Sequence, residues 1–392
     1  MAQRAIVLSG SLGLGHDVIA DQLASTLGDA GWESRTLDCM SLLGRVESRV
    51  GDRVFRCLSA RPSIYDSLHF AHFRPGSRLA MAMDRSATKR LVPAVEAVLD
   101  DYGAGLLISA FPTGASTAAK LARRRPAVRT AVLCTDACLH RLWVWPETDL
   151  FLVTSEGAAE SVRRYLPRAR VAVIPPPVRD EFFCVGSQTS ARRDLGIPGG
   201  EPCVLVMGGG WGLGPLASVA AALAHEGVYV LAVAGRNRRL ELLLTDMARS
   251  SAFIHPFGFT NLVPKLMAAA DVVVTTPGAT TCSEARVVGR KLLLLDVLPG
   301  HGRENLQQQL DMGHASACDG EPSSVTASVL AALDSLPLTP PASPYKAGEW
   351  EKALVTALNE LEPESGCGDR RRARWPGMKS PGPELRHDGA RR

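Results

Sequence analysis

Glycine-spaced turns that lead into helical patterns are the first places where this chain could do chemistry. The turn "SGSLGLGH" has glycines at Gly10, Gly13 and Gly15 and ends on His16. Glycine allows positive φ and lets a ligand approach without meeting a Cβ, and the N–H groups at a helix start attract negative charge. The turn therefore predicts an anion site, and His16 is either a functional side chain there or a surface residue at a helix start.

A second glycine turn is richer and favours a phosphate-binding loop. The segment "MGGGWGLGPL" has five glycines within seven positions, between an apolar segment and a helical pattern. Packing alone rarely needs so many residues without a Cβ. The glycines are Gly208, Gly209, Gly210, Gly212 and Gly214.

A third turn, "TTPGATTCSEA", combines a bend at Pro277 and Gly278 with two hydroxyl side chains, Thr280 and Thr281. Backbone N–H groups and hydroxyls at a helix N-terminus can hold a diphosphate without a metal ion. The carboxylate of Glu284 could then accept hydrogen bonds from both hydroxyls of a ribose. Alternatively, Thr281 and Glu284 form the capping box of an ordinary helix.

The segments that must position these turns alternate between short apolar strands and amphipathic helices. This alternation predicts an α/β protein with two facing, Rossmann-like doubly wound domains. The predicted domains are 1–178, 179–340, a linker and C-terminal helix at 341–362 that could pack on the first domain, and a tail at 363–392. The predicted strands are "AIVLS", "RTLD", "GLLIS", "RTAVLC", "LFLVT" and "RVAVI", then, after the proline break "PPPV", "CVLVMGGG", "VYVLAVAG", "AFIHPF", "DVVVTT", "KLLLLDV" and "HASAC".

Composition limits the classes of protein. A chain of 392 residues with 46% hydrophobic content can bury more than one core. The longest apolar runs are too short to predict a membrane span, and nine scattered cysteines favour a reducing cytosol. Cys134, Cys138 and His140 have no second ligand pair at zinc spacing, so we expect no metal site.

The net charge of +4 is concentrated in particular segments. The tail 363–392 has eight Lys or Arg against four Asp or Glu, which predicts a disordered basic tail. This tail is either a solvated chain end or a segment with a weak attraction to anionic lipid. Residues 45–90 hold ten basic and four acidic side chains among aromatic residues. Because no nucleic-acid motif accompanies them, this segment favours an anionic membrane surface or an acidic substrate, and no nucleic-acid partner is expected.

The first turn alone is also compatible with a nicotinamide dehydrogenase. Its glycines precede Asp38, which stands about where a ribose-binding acid follows in a Rossmann unit. The order G-x-x-G-x-G nevertheless differs from the dinucleotide fingerprint. This hypothesis also leaves the second glycine turn unexplained.

Five motifs in order carry a resemblance to a known family: "GLGH", "TDACLHRLW", "GGGWGLG", "GFTNLVPKLMAAADVVVTTPGATTCSEA" and "PGHGREN". From Ala5 to Leu361 the chain resembles the monogalactosyldiacylglycerol synthase family and, more distantly, the N-acetylglucosaminyltransferase that makes peptidoglycan lipid II. The resemblance implies the GT-B fold and inverting transfer of a hexosyl group from a UDP-sugar to a lipid such as diacylglycerol. It also implies a cytoplasmic enzyme, peripheral to the membrane, that needs no metal or other cofactor.

The resemblance assigns the donor to the second domain. It implies that Phe259 and the Thr260 backbone lie near uracil and that Glu284 binds the ribose. Where the family has Gln and Glu, this chain has His301 and Gly302, so the identity of the hexose stays open. The implied donor residues are Gly209, Gly210, Gly212, Phe259, Thr260, Gly278, Thr280, Thr281, Glu284, His301 and Asn305.

The catalytic residues implied by the resemblance lie in the first domain. Inverting transfer needs a base for the acceptor proton and fixed dipoles for the departing diphosphate. His16, Asp136 and His140 are the titratable groups that the motifs supply. His16 is implied either as the base or as a group that orients the acceptor. Asp136 or His140 could instead be the base, could orient His16 or could fix the "TDACLHRLW" loop. A soluble or natural-product acceptor, a UDP-sugar 2-epimerase on the same fold and a non-catalytic membrane-binding relative are the open alternatives, and the oligomeric state is not predicted.

Overall fold

Two parallel sheets of six strands each form the framework of the chain. The computed structural model describes residues 3–11, 14–44, 66, 68–313, 315–335 and 343–361. Two segments with charge-based predictions lie largely or wholly outside these residues. They are the part of the basic segment at 45–65 and 67, and the tail 363–392. The predictions for these residues are therefore not tested.

The first sheet has the strand order β2-β1-β3-β4-β5-β6, with every pair parallel. Helices, a short π-helix at His69–Phe73 and a 3-10 turn at Arg141–Trp143 connect its strands. The strands are β1 (Arg4–Ser9), β2 (Glu33–Asp38), β3 (Leu106–Ser109), β4 (Arg129–Cys134), β5 (Leu150–Val153) and β6 (Val171–Val173). The helices are α1 (Leu14–Asp29), α2 (Cys39–Leu43), α3 (Arg78–Tyr102), α4 (Pro112–Arg124) and α5 (Glu156–Tyr165).

The second sheet has the order β12-β11-β10-β7-β8-β9, again parallel throughout, which is the strand order of a dinucleotide-binding Rossmann sheet. The strands are β7 (Cys203–Met207), β8 (Tyr229–Val233), β9 (Ile254–Phe257), β10 (Val272–Thr275), β11 (Lys291–Leu295) and β12 (Ala315–Cys318). The helices are α6 (Asp180–Phe183), α7 (Gln188–Leu195), α8 (Leu216–His225), α9 (Arg238–Ala248), α10 (Val263–Ala269), α11 (Ala279–Val287), α12 (His301–Asp311), α13 (Pro322–Asp334) and α14 (Glu349–Asn359).

The central strands are almost wholly apolar because helices cover both faces of each sheet. In β1 the side chains of Ala5, Ile6, Val7 and Leu8 are all inaccessible to solvent, and two different helix layers pack on its alternate faces. Each of the twelve predicted strand segments overlaps one observed strand. The predicted doubly wound α/β fold is therefore confirmed.

The last helix, α14, packs on the first sheet although it follows the second in the chain. Trp350 and Leu354 are buried in the same apolar cluster as Ile19 and Leu23 of α1. The indole N–H of Trp350 donates a hydrogen bond of 3.3 Å to Thr26 Oγ1. The chain thus crosses back to its first half before residue 361.

Candidate active site

Ligands of open parallel sheets bind beyond the carboxyl ends of the strands, at the point where the strand order reverses. In the first sheet this point lies between β1 and β3, and His16 stands there in the first turn of α1. Its imidazole packs edge-on against Phe111 at 5.4 Å and near Trp143 at 6.3 Å, measured between ring centroids. A Cβ at Gly10 would overlap the Phe111 ring, so this glycine is required for the contact.

Burial of His16 favours the neutral form of its imidazole. Burial lowers the pKa, the Asp136 carboxylate and a hydrogen bond with the Ala110 backbone act in the opposite direction, and His301 lowers it further. The net effect is a pKa below the usual value for histidine. A neutral imidazole can accept a proton, which is the state that a general base needs.

The loop that follows β4 brings the other two predicted catalytic residues to the same place. Asp136 is partly buried, and its Oδ1 accepts a hydrogen bond of 3.1 Å from the side-chain amide of Asn305. Burial, together with the neighbouring His69, lowers the pKa of His140 to about 3. Among the described residues, Nδ1 of His140 is buried without a hydrogen-bond partner. His140 is therefore a neutral side chain under physiological conditions.

Sequence reasoning missed His69 and Glu304, which form a cluster with the predicted His140 and His301. His69, which begins the π-helix, lies 6.1 Å from His140 and 6.2 Å from His301 between ring centroids. Glu304 of α12 approaches His69 Nε2 to 3.5 Å and also pairs with Arg74. The only sequence signal for this cluster was the run "HFAHF" at the end of the basic segment.

The strand order of the second sheet reverses between β7 and β10, and the two other turns lie there. After β7, a Cβ at Gly208 would overlap the backbone of Leu213, and a Cβ at Gly212 would overlap the carbonyl of Ala234. Gly209 and Gly212 have positive φ angles of 62° and 58°. Glycine is thus needed to fold this loop tightly, and Gly210 lies at its centre.

The turn after β10 leads into a helix N-terminus that lacks a side-chain cap. Helix α11 begins at Ala279 with Gly278 as its N-cap and no side-chain cap. The first N–H groups of a helix have no partner within the helix, and Thr280 and Thr281 stand beside them with partly exposed side chains. Thr275 Oγ1 at the end of β10 is buried and, among the described residues, has no hydrogen-bond partner.

Glu284 does not form the alternative capping box, because the helix begins two residues before Thr281 and the carboxylate turns elsewhere. Its Oε1 accepts a hydrogen bond of 3.1 Å from Arg179, a residue that directly follows the proline break and that the motifs did not indicate. Burial raises the pKa of Glu284 to about 7, and Arg179 offsets part of that effect. Glu284 is only 5% exposed.

The predicted base-binding segment presents an exposed aromatic ring. Phe259 is 63% exposed, and the Arg236 guanidinium lies over its ring at 4.8 Å. The backbone N–H of Arg236 donates to the carbonyl of Gly210, which ties this pair to the glycine loop. Thr260 Oγ1 accepts from the Leu262 N–H, so its side chain serves the local turn.

His301 and Asn305 open α12, which lies beside the first half of the chain. Asn305 is 3% exposed, and its Oδ1 accepts a hydrogen bond of 2.8 Å from the Ala137 N–H. Its Nδ2 donates to Asp136, so both polar atoms of the Asn305 amide form hydrogen bonds with the first half of the chain. His301 lies within electrostatic range of His16 and His140.

The carboxylate of Asp38, the ribose-binding acid of the dehydrogenase hypothesis, is occupied within the first half. It caps α2 by accepting from the N–H groups of Met40 and Ser41. It also accepts from the backbone and hydroxyl of Ser11. These local bonds leave little of its acceptor capacity for a ribose.

Two further findings concern only the part of the chain that the structure describes. No group of three or more His, Cys, Asp or Glu side chains is arranged to hold a metal ion within that part. No helix within it is long and apolar enough to cross a membrane.

Comparison with known proteins finds a matching family model for part of each half. Residues 69–178 match the family model for monogalactosyldiacylglycerol synthase, and residues 203–317 match the model for the glycosyltransferase family 28 C-terminal domain. The predicted resemblance to these glycosyltransferases is confirmed. Two of the three catalytic candidates, Asp136 and His140, lie within the first match. His16 precedes it.

Individual relatives agree with the family models. The chain is 25% identical over 228 residues to a probable chloroplastic monogalactosyldiacylglycerol synthase of Glycine max, covering 54% of this chain and 43% of that protein. It is 26% identical over 198 residues to a processive diacylglycerol beta-glucosyltransferase of Bacillus pumilus, covering 48% of this chain and 50% of that protein. The matches thus span about half the length of these curated relatives.

Solved structures confirm the GT-B fold. The crystal structure of Acinetobacter baumannii MurG superimposes with a TM-score of 0.54 and covers 93% of this chain and 96% of that one. Identity in this comparison is 14%, so the likeness concerns the fold.

Proposed function

We propose that this protein is an inverting glycosyltransferase that moves a hexosyl group from a UDP-sugar to a lipid acceptor such as diacylglycerol. The observation that supports the proposal most strongly is that each sheet has a set of polar groups at the point where its strand order reverses. One supplies a neutral imidazole, His16, and the other supplies an open helix N-terminus with Thr280, Thr281 and a buried carboxyl group. The two relatives described above are named for acting on diacylglycerol or forming a diacylglycerol glycolipid.

The second half would bind the donor. The α11 N-terminus and the glycine loop would hold the diphosphate, since unpaired N–H groups and the helix dipole favour anions there. Glu284 would accept hydrogen bonds from the ribose hydroxyls, and the exposed Phe259 ring would lie against uracil. The same dipoles would stabilise the departing UDP, so no metal ion is required.

The first half would deprotonate the acceptor. His16 would remove the proton of the acceptor hydroxyl as that oxygen attacks the anomeric carbon, and UDP leaves from the opposite face with inversion. Asp136 would stabilise the imidazolium that forms, because its carboxylate already favours the protonated ring. His140 shares the buried wall around the reaction.

An exposed face of α3 would rest on an anionic membrane surface. Leu79 and Met83 are 58% and 57% exposed and lie one helical turn apart. Between residues 78 and 90 the exposed charged side chains of this helix are all basic. They are Arg78, Arg85, Lys89 and Arg90.

The test is turnover with purified protein, a panel of UDP-sugars and vesicles that contain diacylglycerol. We expect UDP release and a β-linked glycolipid from one donor, only when the lipid is present, and unchanged by a metal chelator. Conversion of the donor to its C2 epimer without acceptor would instead indicate a 2-epimerase. Vesicle binding without turnover of any donor would indicate a non-catalytic relative.

A further inference from the structure

Asn305 makes an unusual pair of contacts for a residue of the donor-binding half. Its amide nitrogen donates to Asp136 Oδ1 at 3.1 Å, and its amide oxygen accepts from the Ala137 N–H at 2.8 Å. Both partners belong to the loop after β4, in the other half of the chain. A buried amide that satisfies two neighbouring groups of one loop fixes both the position and the orientation of that loop.

Other contacts of α12 also reach the first half. The Gly300 N–H, at the helix N-cap, donates to Asp66 Oδ1, and the Gln308 amide donates to Ser155 Oγ. Glu304 lies between His69 and Arg74. The residue that touches the proposed catalytic carboxylate, however, is Asn305.

The position of Asp136 matters because its charge acts on the His16 imidazole. Its carboxylate favours the protonated form of this imidazole, against burial and against His301. A displaced Asp136 would leave the imidazolium less stabilised. Any group that holds Asp136 therefore acts on the proton-accepting step without touching either substrate.

We propose that Asn305 is a positioning residue, which holds the Asp136 carboxylate beside His16 from the donor-binding half and so completes the proton-accepting site only when the two halves are in contact. This inference rests on the proposed function for its chemical step. The contact itself links donor-side α12 to the acceptor-side loop. It gives Asn305 a different task from reading the donor hexose.

The experiment compares Asn305→Ala with wild type in three measurements. We expect kcat to fall about 10- to 100-fold while KM for the UDP-sugar changes less than about threefold, because the lost interaction affects the transition state more than donor binding. In a double-mutant cycle, Asn305→Ala should add little to Asp136→Ala, since residues acting through one another are not additive. Nuclear magnetic resonance titration of labelled histidine should show the His16 pKa moving further down in Asn305→Ala.

The matched control is Gln308→Ala, which removes a hydrogen bond between the same helix and the first half without touching Asp136. It should leave the His16 titration and kcat within about threefold of wild type. A raised donor KM with an unchanged His16 titration would overturn the proposal and make Asn305 a donor contact. Additive effects of Asn305→Ala and Asp136→Ala would overturn it as well.

The titration also separates this inference from the proposed function. A wild-type protein that transfers no sugar would contradict the function, yet its His16 would still respond to Asn305→Ala. A protein that transfers sugar with a His16 pKa indifferent to Asn305 would retain the function and remove the positioning role.

Discussion

At the switch point of the first sheet, imidazoles and one carboxylate are packed among aromatic rings, whereas the switch point of the second sheet presents glycines, threonines and helix N–H groups. His16 contacts Phe111 and lies near Trp143, and its titration is governed by burial and Asp136. Thr280 and Thr281 instead stand in an uncapped first turn of α11. Similar sheet topologies thus position different chemical groups, which we propose act on a proton in the first half and on a diphosphate in the second.

The difference follows from what lines each turn. Aromatic side chains exclude water around His16 and keep the ring neutral. Glycines in the second half remove side chains altogether, so a ligand could approach backbone N–H groups directly. If the comparison is correct, substitutions in the two halves should affect different kinetic parameters.

The largest expected effect is that of His16→Ala on turnover. General-base catalysis typically contributes about 10²- to 10⁴-fold, so kcat should fall by a factor in that range while UDP affinity stays near wild type. Steady-state kinetics and calorimetry with UDP measure the two quantities. His225→Ala, which changes a histidine that is 88% exposed at the end of α8, should leave both unchanged.

Near-normal turnover of a folded His16→Ala protein would contradict the role that the comparison gives to the first half. His16 would then be a structural residue of the turn. Asp136 or His140 would have to accept the proton.

Glu284→Ala should produce the complementary effect in the second half. Losing a charge-assisted hydrogen-bond pair to the ribose should cost about 1.5–3 kcal/mol, roughly a 10- to 150-fold rise in Kd for UDP. Calorimetry measures this affinity, and a folded Glu226→Ala protein serves as the exposed control. Unchanged UDP binding in a folded Glu284→Ala protein would remove this residue from the donor site.

The pH dependence of UDP binding should sharpen this assignment. Burial raises the pKa of Glu284 to about 7, against the opposing effect of Arg179 and with a small further increase from Glu181. The ionised carboxylate is the form that accepts both ribose hydroxyls, so affinity should weaken as pH falls from 8 to 6, by about tenfold. Titration calorimetry across this range should show a smaller pH dependence for Glu284→Gln, because only the titration of UDP itself then remains.

An equal pH dependence in Glu284→Gln and wild type would contradict the ribose contact. The ion pair with Arg179 would then be a purely structural one.

The smallest and most condition-dependent effect concerns the α3 face. Charge attraction is screened over about 8 Å at physiological ionic strength and about 3 Å at 1 M salt, so binding to anionic vesicles should fall steeply as salt rises. Leu79→Glu and Met83→Glu should weaken it further by adding acidic charge to the same face. Leu242→Glu, at a residue that is 56% exposed on α9 of the other half, is the matched control.

Vesicle flotation measures this binding. If flotation does not change with anionic lipid content or with salt, the α3 face does not bind the membrane through its charge, and a soluble acceptor is favoured. Equal losses for Leu79→Glu and Leu242→Glu would show that the effect is not specific to α3.

The fold class was accessible from the sequence because parallel strands covered on both faces must be continuous apolar segments. "DVVVTT" illustrates this, since Val272, Val273 and Val274 are all fully buried. The glycine turns were accessible for a similar local reason, because Gly212 has a φ angle of 58° that other residues rarely adopt. Local sterics and periodicity are properties of short segments, and a sequence displays them directly.

The tertiary structure alone decided which distant groups meet. The choice between a capping box and a buried ion pair for Glu284 depended on where α11 begins and on Arg179, 105 residues away. The contact between Asn305 and Asp136 joins residues 169 positions apart, and Glu304 reaches His69 from the opposite half. No periodicity or turn rule encodes such pairs, because they form only when segments that are distant in the chain pack together.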